Sequence, residues 1–139
     1  MILLDTNVLS ALMQVNPASH VIAWLDRQPV SSIWTTSITV FEVQAGIRTL
    51  AAGRRQRDLT KAFDALLTED LAGRVASFDR EAAHAAADLW ARRQRTGKPV
   101  DLRDTQIAGI ALARHSAIAT RNIRHFADLD IPVVDPWAD

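Results

Sequence analysis

Three acids and one amide stand where the chain passes from one kind of element to the next. They are Asp5 in Asp5-Thr6-Asn7, Glu42 in Thr39-Val40-Phe41-Glu42, Asp104 three residues after Asp101, and Asn122 in Ala119-Thr120-Arg121-Asn122. Three carboxylates drawn to one point cannot all stay ionised without a compensating cation. The chain has no cysteine, and its four histidines, His20, His84, His115 and His125, show no ligand spacing and are assigned no part in the chemistry. Hard oxygen donors of this kind predict Mg²⁺ or Mn²⁺ rather than zinc. A divalent ion held by acids but otherwise open turns water into a nucleophile and neutralises charge on a phosphodiester. The chemistry suggested by these residue types is therefore metal-assisted hydrolysis of such a bond.

For the four residues to meet, the elements around them must deliver them to one edge. Short apolar runs rich in branched residues alternate with segments of helical period, the pattern of an α/β domain with a mostly parallel sheet. Strands are expected at Met1 to Leu4, an unbroken apolar run suited to a central position, at about Ser32 to Ser37, and at Arg74 to Phe78, Ala117 to Thr120 and Pro132 to Val134. Between them the spacing predicts five helices. Asn16-Pro17 starts one carrying Val21, Trp24 and Leu25; Thr39 starts the next, with Val40, Val43 and Ile47, ending near Gly53. Leu59, Phe63, Leu66 and Leu67 form a stripe on a third; Asp79 caps a fourth, closed by Thr96-Gly97 and Pro99; Asp101 caps a fifth, with Ile107, Ala108, Ala111 and Leu112 facing the sheet. In such a fold Asp5 directly follows the first strand, and Glu42 and Asp104 lie in first turns of helices that follow strands. That is the carboxyl edge of the sheet, where open α/β folds bind ligands.

Each residue also has a local role that would explain it without any chemistry. Thr39 to Glu42 matches a capping box, in which the glutamate reaches back to the Thr39 amide. Asp101 as N-cap, with Asp104 favoured by the helix dipole, accounts for the fifth helix. Asp5 can form an Asx-turn with Asn7, and Asn122 can be a plain turn residue. Joint placement on one rim is what favours the functional reading.

The composition bounds what remains. With 139 residues, 48% hydrophobic and 23% charged, the chain is expected to form a single domain over 1–139 with an ordinary core. Sixteen basic residues balance sixteen acidic ones, which excludes a strongly basic nucleic-acid binder and leaves room only for local patches. Such patches are offered by Arg54, Arg55 and Arg57, and by Arg92, Arg93, Arg95 and Lys98, which are equally what a solvated helix face looks like. Absence of cysteine suits a reducing compartment, and Asp5 interrupts the opening apolar run too early for a signal peptide. No later run is long enough to cross a bilayer, so a cytoplasmic protein is expected. Trp24, Trp90 and Trp137 add apolar surface that predicts a two-fold homodimer.

The segment Ile2-Leu3-Leu4-Asp5-Thr6-Asn7-Val8-Leu9-Ser10 resembles the opening of PIN-domain ribonucleases, especially the VapC/FitB-like toxins of bacterial toxin–antitoxin modules. Ile38 to Ile47, with Glu42 and a glycine one turn later, is similar to the family's second acidic block. Asp104-Thr105-Gln106-Ile107-Ala108-Gly109-Ile110-Ala111 resembles the third, Ala119-Thr120-Arg121-Asn122 through Phe126 the fourth, and Val133-Val134-Asp135-Pro136-Trp137 the close of these toxins. The resemblance implies a three-layer α/β/α PIN-like domain with four or five strands, with Asp5, Glu42 and Asp104 as metal ligands and Asn122 in support. It implies an endoribonuclease that cuts RNA with Mg²⁺ or Mn²⁺ and a homodimer. It also implies a cognate antitoxin that blocks the site and brings the pair to operator DNA. One departure is Asn122, where many PIN domains carry an aspartate; the amide supplies no charge toward a second metal.

Two alternatives are set against this reading. One is a catalytically inactive PIN-fold subunit that only binds an antitoxin and operator DNA, which Asn122 favours. The other is a receiver-like phosphoacceptor, which also gathers acids and Mg²⁺ at strand ends. That class expects paired acids after the first strand and a lysine after the fifth, where this chain has Thr6-Asn7 and Pro136-Trp137.

Overall fold

The computed structural model describes residues 1–98 and 101–138; Pro99, expected to close the fourth predicted helix, lies outside them. Five short strands, β1 (Ile2–Leu4), β2 (Ile33–Thr36), β3 (Val75–Ala76), β4 (Ala117–Ala119) and β5 (Val133–Val134), pair in the order β3-β2-β1-β4-β5. Every pairing is parallel. The expected sheet is therefore present, and it is parallel throughout rather than mostly. Six α-helices are described: α1 (Thr6–Leu12), α2 (Ser19–Asp26), α3 (Ser37–Arg48), α4 (Arg54–Ala65), α5 (Arg80–Arg95) and α6 (Leu102–Arg114).

Alternation along β1 divides the core in two, because successive strand residues point to opposite faces. Leu4 packs with Val8, Val21, Trp24, Val43 and Phe63 on the face covered by α1 to α4. Leu3 packs with Ala82, Leu89, Ile107 and Ile110 on the face covered by α5 and α6. The result is three layers, α/β/α. Helices α5 and α6 approach closely at Gly109, where a Cβ would lie 2.5 Å from the Ala82 carbonyl oxygen and 2.6 Å from the Ala86 Cβ.

The strand order reverses between β1 and β4, which makes the carboxyl ends of these two neighbours the switch point where ligands bind in doubly wound folds. Register finishes the placement: Leu4 pairs with Ala119, so Asp5 and Thr120 leave the sheet side by side. This order differs from the 2-1-3-4-5 order of receiver-type folds, which removes the phosphoacceptor alternative.

Several local expectations are corrected. The helix α1 was not anticipated, because it is one short stretch of seven residues placed directly after β1; its N-cap is Asp5 itself, whose carboxylate accepts from the Thr6 amide, so the Asx-turn with Asn7 is absent. Helix α2 begins at Ser19 with Ala18 as a cap that makes no side-chain bond, rather than at Asn16-Pro17. Helix α3 begins at Ser37, not Thr39, because Thr36 at the end of β2 already caps it, its hydroxyl accepting from the Thr39 amide at 3.0 Å. Glu42 consequently sits in the second turn and the capping box does not form. The same helix ends at Arg48, and Gly53 instead precedes α4. The stripe expected on one helix is divided, since α4 stops at Ala65 and Leu66–Asp70 form a π-turn. At α5 the expected close holds, with Gly97 in the left-handed region at φ 70°. Trp24 is buried, so it adds no apolar surface for association.

Candidate active site

Asp5 is fixed more tightly than any other acid of the site. It is 5% exposed; its Oδ1 accepts from the Thr6 N–H at 2.8 Å, and its Oδ2 accepts from the Thr120 hydroxyl at 2.8 Å. Thr120 is fully buried and its Oγ1 in turn accepts from the Asn122 N–H at 3.0 Å and the Asn7 amide at 3.3 Å. Asn7 also accepts from the Arg121 N–H at 3.1 Å, and the Arg121 guanidinium stacks over Trp137 at 4.8 Å. The loop after β4 is thereby sewn to the loop after β1.

Glu42 reaches the same edge from α3. Its Oε1 accepts from the Thr6 hydroxyl at 3.0 Å, and its Oε2 lies 3.8 Å from the Arg103 Nε. Asp104 arrives from the first turn of α6, where Asp101 caps the helix by accepting from the Asp104 N–H at 2.9 Å. Its Oδ2 lies 2.6 Å from the His125 Nδ1.

All three acids hold their protons more firmly than free carboxylic acids. Burial raises Asp5, against the opposing hydrogen bonds from Thr120 and Thr6. Burial raises Glu42, with the charges of Asp5 and Asp104 adding to it while Thr6 and Arg103 oppose. Burial again leads at Asp104, followed by the charges of Asp101 and Asp5, with His125 opposing. The acids therefore feel one another across three separate segments, which is the electrostatic signature of a shared site.

Asp5, Glu42 and Asp104 are thus brought to one edge. Asn122 is adjacent but exposed, and it enters through its backbone N–H on Thr120; its side-chain amide makes no hydrogen bond among the described residues. Three participants escaped the sequence reading. Thr120 directly follows the end of β4 and Thr6 stands two residues past the end of β1, but nothing in either segment marks its hydroxyl as the partner of a distant acid. His125 had no spacing signal, because its partner Asp104 is on a different element. Arg93, grouped with the surface arginines, is instead 5% exposed and paired through two nitrogens to Asp128 at 2.8 and 2.9 Å.

Among the described residues no three Asp, Glu, His or Cys side chains stand together closely enough to hold a metal ion as a group. Each acid is turned to a neighbour instead, Asp5 to the threonines, Glu42 to Thr6 and Arg103, Asp104 to His125. The donor set nevertheless fits a hard divalent cation: oxygen ligands only, whose ionised forms are disfavoured by burial and by each other and would be favoured by a nearby positive charge.

Comparison with known proteins agrees with this geometry. The PIN domain family model matches residues 2–132. The chain is 39% identical to the plasmid stability protein StbB of Pseudomonas syringae pv. tomato over 99% of both chains. It is 35% identical to the VapC ribonuclease Y4jK of Sinorhizobium fredii, over 99% of this chain and 98% of that one. The crystal structure of FitAcB from Neisseria gonorrhoeae superimposes with a TM-score of 0.88 at 32% identity, covering 99% of each chain, and a structure of FitAB bound to the IR36 DNA fragment gives the same TM-score. With the parallel β3-β2-β1-β4-β5 sheet and its acids at the switch point, and with a family match over nearly its full length, this chain belongs to the PIN domain family.

Proposed function

We propose that this chain is a divalent-metal-dependent endoribonuclease, the toxin of a toxin–antitoxin pair, which hydrolyses RNA phosphodiester bonds using Mg²⁺ or Mn²⁺. The observation that carries it is the meeting of Asp5, just past β1, Glu42 on α3 and Asp104 on α6 at one edge, where the charge of Asp5 raises the proton affinity of Glu42 and Asp104 and the charge of Asp104 raises that of Glu42. Asp5 and Asp104 would be the principal ligands, with Glu42 as a third ligand or as the group that orients water. When bound, the ion supplies positive charge for the phosphodiester and makes water a better nucleophile.

The chain's own residues do the positioning. Thr6 and Thr120 fix both oxygens of Asp5, and Thr6 ties Glu42 to the same point. Asp101 holds the first turn of α6 and with it Asp104. The likeness to VapC ribonuclease and to FitAB on DNA supports an antitoxin partner and contact with operator DNA only through that complex. A homodimer fits the exposed Phe41, Trp90, Leu102 and Ile123. No described helix is long and apolar enough to cross a membrane, and the cytoplasm, where RNA is at hand, is the proposed location.

The test is direct. Purified chain free of any partner is expected to degrade RNA with Mn²⁺ or Mg²⁺ and to stop on addition of EDTA. Asp5→Asn and Asp104→Asn should each abolish cleavage while the protein remains folded. Binding of an antitoxin without any cleavage by the unmodified chain would favour the inactive-subunit reading that Asn122 suggests.

A further inference from the structure

Beside the acids lies a cavity of about 630 Å³ that shares Asp104 with them. Its acids are Asp101 and Asp104 at the start of α6 and Asp128, which is paired with Arg93. Its basic wall comes from other segments: Arg93 on α5, Lys98, which follows α5, and Arg124 in the single turn Ile123–Phe126 after β4, with His125 beside it. The geometry points to this cavity as a second phosphate subsite, in which Lys98 and Arg124 hold the phosphate next to the scissile one on a bound RNA strand; this rests on the ribonuclease reading above.

Three observations carry it. Lys98 and Arg124 are exposed, and among the described residues neither stands within salt-bridge distance of a carboxylate; the Lys98 charge acts on Asp128 only from farther off. The other cation of the cavity, Arg93, is already neutralised by Asp128, and it does structural work: its guanidinium also donates to the His125 carbonyl at 2.9 Å and to the Thr105 hydroxyl at 3.2 Å. One buried arginine thereby fixes the turn carrying Arg124 and the helix carrying Asp104 relative to each other. Finally, a single strand carries a phosphate at every nucleotide. A strand with one phosphate at the Asp5, Glu42 and Asp104 edge has its next phosphate one nucleotide away, and the cavity that Asp104 also lines is the basic surface adjoining that edge. Ala127 is the one apolar residue in the lining, which gives little seat to the apolar anchors by which a protein segment docks.

Fluorescence anisotropy of a labelled single-stranded RNA on the Asp5→Asn protein, with and without Lys98→Ala and Arg124→Ala, tests the subsite across a series of salt concentrations. Each lost phosphate contact is expected to reduce the slope of log K against log salt by about 0.7, with affinity at low salt falling about tenfold. Paired Arg54→Ala and Arg55→Ala substitutions on α4 should leave the slope unchanged. In the otherwise unmodified enzyme the Lys98 and Arg124 substitutions should raise KM for RNA and spare kcat, and should not affect a dinucleoside monophosphate, which has no second phosphate. Failure of the unmodified chain to cleave RNA would overturn the ribonuclease reading and the subsite with it. Cleavage with an unchanged salt slope in the variants would overturn the subsite alone. So would Lys98- and Arg124-dependent binding of a poly-glutamate peptide with RNA binding unaltered, which would assign the cavity to a protein ligand.

Discussion

At the scale of single residues, the decisive difference between a structural and a chemical acid is what its oxygens touch. The sequence alone offered Glu42 a capping role, and the pattern Thr39 to Glu42 is a fair match to one. That role is taken by Thr36, three residues earlier, because β2 runs straight into α3 and its last threonine is already in extended conformation with its hydroxyl on the Thr39 amide. Glu42 is left facing Thr6 and the other acids. Glu42→Gln should therefore keep the unfolding transition nearly unaltered while the cleavage rate falls on the order of a hundredfold, read from parallel denaturation and RNA assays. The acids also set a pH dependence in metal-free protein. Asp5, Glu42 and Asp104 have folded pKa values above their unfolded ones, so the native state holds more protons than the unfolded state between the two. Their contribution to stability is fully present below the unfolded values and is lost as pH rises through the folded ones. Urea midpoints measured in EDTA should fall as pH rises across the weakly acidic range, and Asp5→Asn should flatten that fall. What was legible at this scale was the identity of the acids. Thr120, Thr6 and His125 were not, since a hydroxyl or imidazole partner 115, 36 or 21 positions away leaves no local pattern.

At the scale of elements, the long helices with caps were readable and the short ones were not. Asp79 and Asp101 cap α5 and α6 as their positions suggested, whereas α1, a seven-residue helix beginning at the strand end, has too few turns to show a period. How the elements touch is decided by small residues and by the ion pair of one buried arginine. A methyl at Gly109 would enter the backbone of α5 at Ala82 and Ala86, which cannot yield as a flexible side chain would. Gly109→Ala should cost about 3 kcal/mol, the upper range of overpacking, and disturb Asp104 at the head of the same helix. Arg93 is the second constraint. Arg93→Met leaves the partly buried Asp128 without its partner and frees the His125 carbonyl, and a loss of about 2 kcal/mol, the scale of hydrogen bonds to a charged group, is expected in denaturant titration. Here the pH sign is opposite to that of the acids: the Arg93 hydrogen bonds hold the Asp128 carboxyl below its ordinary value. Its contribution is present above the unfolded value and is lost as pH falls through the folded one, so the variant should lose stability near neutrality and show a shallower acid transition. Sequence alone groups Arg93 with Arg92 and Arg95, as a basic patch or a solvated face, because its partner Asp128 comes from a turn 35 residues on and leaves no local pattern.

At the scale of the whole molecule, a sheet whose order reverses between β1 and β4 creates one crevice, and the residues able to do chemistry collect there because both flanking loops and two helix starts open onto it. The layered α/β class and the five strand positions followed from apolar runs, while the lateral order of the strands came only with the structure, since hydropathy says nothing about which strand is whose neighbour. Under the proposed function, Asp5, Glu42 and Asp104 together hold the divalent ion on which RNA hydrolysis depends, with Asn122 adding no charge to them. The measurement that tests it most directly is Mn²⁺ binding, followed by calorimetry on metal-free protein, set against the rate of RNA cleavage at each Mn²⁺ concentration. The two curves should coincide, one ion should bind per chain, and Asp104→Asn should remove both binding and cleavage. Cleavage that persists in Asp104→Asn, or that is already complete before Mn²⁺ is bound, would contradict it.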